Sequence, residues 1–114
     1  MTDCLFCKIG AKEIPADIVH ETDRTVAFRD INPQAPTHVL VIPKAHYANA
    51  FELAQADDGL ADDLLKAAHA VALQDDVAET GYRVVLNTGP GAGQTVFHVH
   101  AHVLGGRPLL WPPG

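Results

Sequence analysis

The chain has 114 residues, 47% of them hydrophobic and 19% charged, with a formal net charge of −6. That length suits a single domain over 1–114, and the composition excludes both disorder and a fibrous repeat. The acidic balance excludes extended nucleic-acid binding, which needs many Lys and Arg to displace phosphate counterions. No apolar run of about 18 residues is present to cross a membrane, and the absence of an apolar leader predicts a cytoplasmic protein.

Leu5, Phe6 and Ile9 are spaced as one helical turn with an apolar side, and Cys4 and Cys7 share that turn. A lone Cys-x-x-Cys in a reducing compartment points to metal or redox chemistry more than to a structural disulfide. Residues 18–21 and 25–30 are predicted as strands joined through Thr22-Asp23-Arg24, a hairpin. The segment 31–36 is a loop, because Pro33 and Pro36 remove donors and hold the chain extended. Residues 38–43 form a strongly apolar central strand that Pro43 ends, and Lys44 to Phe51 is a turn or short helix.

A long helix is predicted from near Asp57 to about Val77, with Asp57 or Asp58 as N-cap. Leu60, Leu64, Ala67, Ala68, Val71 and Ala72 give it one apolar stripe, while His69, Asp62, Asp63, Asp75 and Asp76 are assigned to solvent. Gly81 stops the helix and 82–87 returns as a strand. Gly89, Gly91 and Gly93 then admit two readings, a plain hairpin loop or a turn that offers backbone N–H groups to an anion. In the second, Asn87, Gln94 and Thr95 add neutral donors; a P-loop is excluded, since no Gly-Lys-Ser/Thr follows.

Phe97 to Leu104 reads Phe-His-Val-His-Ala-His-Val-Leu. In a strand, His98, His100 and His102 project to one face and Val99, Ala101 and Val103 to the other. Three readings are open on these residues alone: a strand whose polar face happens to be histidine, a metal site, or an imidazole nucleophile with helpers.

With Gly-Gln-Thr before it and Gly105-Gly106-Arg107 and Trp111-Pro112-Pro113-Gly114 after it, this run resembles the histidine triad (HIT) family, in particular its Hint branch of nucleoside phosphoramidases. Phe6-Cys7-Lys8-Ile9, Glu13-Ile14-Pro15-Ala16, Phe28-Arg29-Asp30-Ile31, 33–38 and Val41-Ile42-Pro43-Lys44 carry the likeness nearly end to end. It implies an α+β HIT-like fold: an antiparallel sheet of about five strands, one long and one or two short helices, and two sheets joined across a homodimer. The implied activity is hydrolysis of the P–N bond of purine nucleoside 5'-monophosphoramidates, with AMP or GMP as the nucleotide and no organic cofactor.

Matched by position, His100 is the implied nucleophile, which becomes a nucleotidyl-histidine that water hydrolyses. The His98 backbone carbonyl orients it, and His102 and Thr95 meet the phosphate or leaving group. Asp30 takes the ribose hydroxyls; Asn87, Gly93, Gln94 and Thr95 contact the phosphate side; Leu5, Phe6, Ile9, Phe28, Ile31 and Leu40 wall the base. The resemblance also implies a structural zinc on Cys4, Cys7, His46 and His98. His38 is either a supporting residue for His100 or a satisfied core histidine, and Trp111 either meets a partner subunit or packs on its own domain. A zinc-dependent hydrolase and a nucleotide-binding adaptor with vestigial activity are the alternative functions.

Overall fold

A computed structural model describes residues 3–114. Its elements run α1 (Leu5–Gly10), β1 (Ile18–Glu21), β2 (Thr25–Arg29), β3 (Thr37–Pro43), α2 (Ala50–Ala56), α3 (Leu60–Gln74), β4 (Tyr82–Val85) and β5 (Ala101–Gly105), with a short 3-10 turn at Pro90–Ala92. The strands form one sheet in the order β1-β2-β3-β5-β4, antiparallel throughout. The expected five-stranded α+β architecture is therefore observed. Its centre is β3, all seven residues of which are buried.

Side-chain alternation divides the sheet into two faces. Ala27, Val39, Val41, Ala101 and Val103 meet Leu60, Leu64, Ala67, Ala68 and Val71 of α3 in one core. The helical stripe thus lands on the sheet as its spacing predicts, and each fully buried leucine contributes about 1.5–3 kcal/mol. Val26, Phe28, Leu40 and Ile42 face the other way, where Phe6 and Ile9 of α1 cover them. At the end of β5, a Cβ at Gly105 would stand 3.0 Å from the Val77 side chain, a contact so tight that Val77 would have to shift by a few tenths of an ångström.

Several boundaries differ from the sequence expectation. The long helix starts at Leu60, where Asp58 Oδ1 accepts the Leu60 N–H at 3.1 Å, and Asp57 instead closes the separate α2 in a left-handed conformation. The strand expected over 97–104 is laddered only from Ala101; before it, the Val99 N–H is taken by the Tyr47 carbonyl at 2.7 Å rather than by a neighbouring strand. Asp75 is not solvated. Its carboxylate accepts both Arg29 guanidinium arms, at 2.8 and 3.0 Å, and the Thr37 hydroxyl at 2.9 Å, tying the end of α3 to β2 and β3. Among the described residues, no helix is long and apolar enough to cross a membrane.

Candidate active site and metal centre

The triad occupies the sheet face opposite α3, under α1. Val99, Ala101 and Val103 point into the helix-side core, so His98, His100 and His102 share the other face even where the ladder is absent. Phe6 sets its ring edge-on to His100 at 5.1 Å and to His98 at 6.1 Å between centroids.

Hydrogen bonds fix the tautomer of each ring and set His100 apart from the other two. A carbonyl only accepts, so His100 Nδ1, 2.9 Å from the His98 carbonyl, carries the hydrogen, and its Nε2 keeps a free lone pair. By the same logic His98 Nε2 donates to the Pro43 carbonyl at 2.8 Å, which leaves His98 Nδ1 as the lone-pair nitrogen. On His38, Nδ1 accepts the Gln34 N–H at 3.0 Å; its Nε2–H therefore donates to His102 Nδ1 at 2.9 Å, with Asp30 Oδ2 at 3.5 Å beside it. His102 is left with Nε2–H as its outward group. His38 thus supports His102 rather than His100. The chain of donors also bears on the Asp30, His38 and His102 cluster as a cation site: His38 Nε2 is occupied by its hydrogen and offers no lone pair.

Burial works with these bonds to keep His102, His38 and His98 neutral. It pushes His102 down to about 4, with positive charge on His100 or His38 adding to the effect and Asp30 opposing it. Burial lowers His38 as well, partly offset by Asp30. His98 is lowered by burial too, against the favourable Pro43 carbonyl bond.

A second constellation lies at the first triad position. Cys4 Sγ and Cys7 Sγ stand 3.3 and 3.4 Å from His98 Nδ1, and His46 Nδ1 is 3.1 Å from His98 Nδ1 and 3.4 Å from Cys7 Sγ. All four donor atoms lie within 4.8 Å of one another. A tetrahedral cation with bonds of about 2.3 Å to sulfur and about 2.0–2.1 Å to nitrogen has nitrogen–sulfur edges of roughly 3.5 Å and a nitrogen–nitrogen edge of roughly 3.3 Å. The four distances just given match those edges to within a few tenths of an ångström, and two cysteine sulfurs with two imidazoles suit zinc. With four protein donors, a cation bound here would have no open position left for a catalytic water.

The remaining expected residues are placed as follows. Asp30 is mostly buried at the end of β2, where Oδ1 accepts the Asn32 N–H at 2.8 Å. Asn87 is half-buried after β4 and Thr95 is exposed. The Gly93 and Gln94 N–H groups close the turn on the Pro90 and Gly89 carbonyls. The Gln94 side chain is spent internally as well, donating to the Ala48 and Val96 carbonyls and accepting from the Gly89 N–H. In this arrangement Asn87 and Thr95 are the neutral donors left at that end. Of the six apolar wall residues, Phe6, Ile9, Phe28 and Leu40 are core, whereas Leu5 at 46% and Ile31 at 102% exposure offer surface. Trp111 is 82% exposed and does not pack on its own domain. The Pro43 carbonyl and the Gln34 N–H, which set two tautomers, are backbone groups that no residue type announces.

The HIT domain profile matches residues 11–109. An uncharacterized HIT-like protein of Synechococcus elongatus is 54% identical over 112 residues, covering 98% of this chain and 97% of its own. A 14 kDa zinc-binding protein of Zea mays is 50% identical over 113 residues, 96% of this chain and 87% of its own. Among solved structures, a HIT family hydrolase from Legionella pneumophila Philadelphia 1 superposes with a TM-score of 0.94 at 49% identity, covering 98% of this chain and 100% of that one. With the histidine face, the profile match and near full-length identity in agreement, the chain belongs to the HIT domain family.

Proposed function

We propose that the protein is a hydrolase of the Hint type that cleaves the P–N bond of purine nucleoside 5'-monophosphoramidates through a nucleotidyl-histidine. The observation that carries this reading is the hydrogen bond from His100 Nδ1–H to the His98 carbonyl, which fixes the tautomer that leaves Nε2 nucleophilic. In the first step Nε2 bonds to phosphorus and the P–N bond breaks, releasing the amine. In the second, water attacks phosphorus, the bond to Nε2 breaks and the nucleoside monophosphate departs. His102 stands at 5.0 Å between ring centroids, and its Nε2–H donates to a phosphoryl oxygen or to the departing nitrogen. Asn87 and Thr95 act on the phosphate side, Asp30 takes the ribose hydroxyls, and Leu5 and Ile31 lie against the base.

Cys4, Cys7, His46 and His98 hold a structural zinc that ties α1 to the catalytic face. The closed donor set favours this over a zinc hydrolase, since metal-assisted hydrolysis needs a position for water. The protein acts as a homodimer. Supporting this, Leu110 and Trp111 are 75% and 82% exposed on a tail whose Leu109 and Leu110 carbonyls accept from Arg83.

The test is His100→Ala, assayed for AMP binding and for turnover of an adenosine phosphoramidate. Binding within a few-fold of wild type and loss of turnover are expected. Undiminished turnover removes the nucleophile assignment, and wild-type binding without any turnover favours the adaptor.

A further inference from the structure

The metal centre and the nucleophile share a residue. His98 turns its ring toward the two sulfurs and His46, and turns its own carbonyl toward His100 Nδ1. Its side chain is wholly buried, and the Pro43 carbonyl holds the far side of the ring. With the ring fixed at both nitrogens, little rotation about the His98 side chain remains, and the peptide that carries the carbonyl is restrained with it.

A second connection arrives from the other side. Cys4 and Cys7 lie at the cap and in the first turn of α1, and the Cys7 N–H also bonds to Cys4 Sγ at 3.3 Å. Phe6 sits between them in sequence, and its ring is the one set edge-on against both His98 and His100. Anything that seats the two sulfurs therefore also seats Phe6 against the catalytic ring. A six-residue helix is too short to hold its own position in water, so α1 depends on such anchoring.

We propose that metal binding at Cys4, Cys7, His46 and His98 is a positioning device for His100, acting through the His98 carbonyl and through Phe6, and that it selects the tautomer with Nε2 free. The proposal rests on the zinc reading above and adds a coupling between the two sites. His98 and Phe6 are positioning residues; neither exchanges atoms with substrate. Zinc sets the orientation of the nucleophile without touching the reaction.

The experiment compares zinc-loaded protein with protein stripped by a chelator, using nitrogen-15 NMR of the imidazoles. Loaded protein is expected to show His100 as a single Nδ1–H tautomer, and stripped, folded protein to show the His100 signals averaged between tautomers. Identical His100 signals in both folded states overturn the coupling. Linkage is reciprocal, so a second measurement covers the case in which stripping unfolds the chain. Zinc affinity by chelator competition is expected to fall about fivefold or more in His100→Ala. It is expected to stay within about twofold in His102→Ala, which removes a ring from the same strand without touching His98. Equal affinities in wild type and His100→Ala overturn the coupling while leaving the zinc reading intact. Failure of the purified protein to hold about one zinc per chain overturns both.

Discussion

Replacing His38 by alanine removes a ring that touches no reacting atom, and so isolates the tautomer argument. His38 is 6% exposed, and its Nε2–H supplies the bond to His102 Nδ1 at 2.9 Å. A hydrogen bond of this kind is worth about 0.5–1.5 kcal/mol net, and each 1.36 kcal/mol in a barrier is about tenfold in rate. Losing the alignment of His102 is therefore expected to lower kcat about tenfold. The ceiling is the roughly 10²- to 10³-fold effect of deleting one donor to a developing oxyanion, the result expected for His102→Ala. KM is expected to move by less than about threefold, because the proposed ribose and base contacts do not include His38. The variant also leaves the Gln34 N–H without its acceptor and opens a small void, so stability falls by about 2–3 kcal/mol and kinetics belong at a temperature where circular dichroism shows it folded. His38→Gln, whose amide N–H can reach toward His102, is expected to retain more kcat than His38→Ala. Steady-state kinetics on an adenosine phosphoramidate decide the matter. A kcat within twofold of wild type, or a change confined to KM, refutes the relay.

Other perturbations separate the structural parts of the account. Asp75→Asn is expected to cost about 1.5–3 kcal/mol in urea unfolding, the value of hydrogen bonds to a charged group, whereas a solvated aspartate would cost almost nothing. Arg29 holds the Asp75 carboxyl below its ordinary range, so this contribution is present above the unfolded-state value and disappears as pH falls through the folded one; the difference between wild type and Asp75→Asn narrows there. For His102 the sign follows from a histidine lowered to about 4 in the folded state: between its ordinary value near 6.5 and 4 the unfolded chain binds more protons, so stability drops as pH falls through that window. His102→Asn is expected to flatten that part of the profile, and an unchanged slope counts against the burial argument. Cys4→Ser with Cys7→Ser is expected to lose stoichiometric zinc and several degrees of Tm while retaining reduced turnover; abolished turnover in a folded variant favours metal-dependent hydrolysis instead.

The parts of the fold that could be read from sequence are those specified by local periodicity. The α3 stripe and the β2 and β3 strands depend on residues a few positions apart, and they sit where spacing places them. The parts that could not be read are those settled by distant or backbone partners. Asp75 looks like any helix-end carboxylate until Arg29 and Thr37, 46 and 38 positions away, are brought to it. The strand expected over 97–104 is a ladder only from Ala101; before it the chain bends at Phe97 and His98, and the Tyr47 carbonyl takes the Val99 N–H. The Gln94 amide suggested a ligand donor, and folding uses it to close the glycine turn. At the site, residue types announced which side chains gather, but the division of roles among three similar histidines comes from the carbonyls of Pro43 and His98 and the N–H of Gln34.

The central claim is that His100 Nε2 attacks phosphorus. Mixing the protein briefly with an adenosine phosphoramidate, quenching, and mapping peptides by mass spectrometry tests it most directly. An added AMP is expected on the peptide containing His100, and none on the same peptide of His100→Ala. Rapid turnover with the AMP on another residue, or undiminished turnover by His100→Ala, would contradict it.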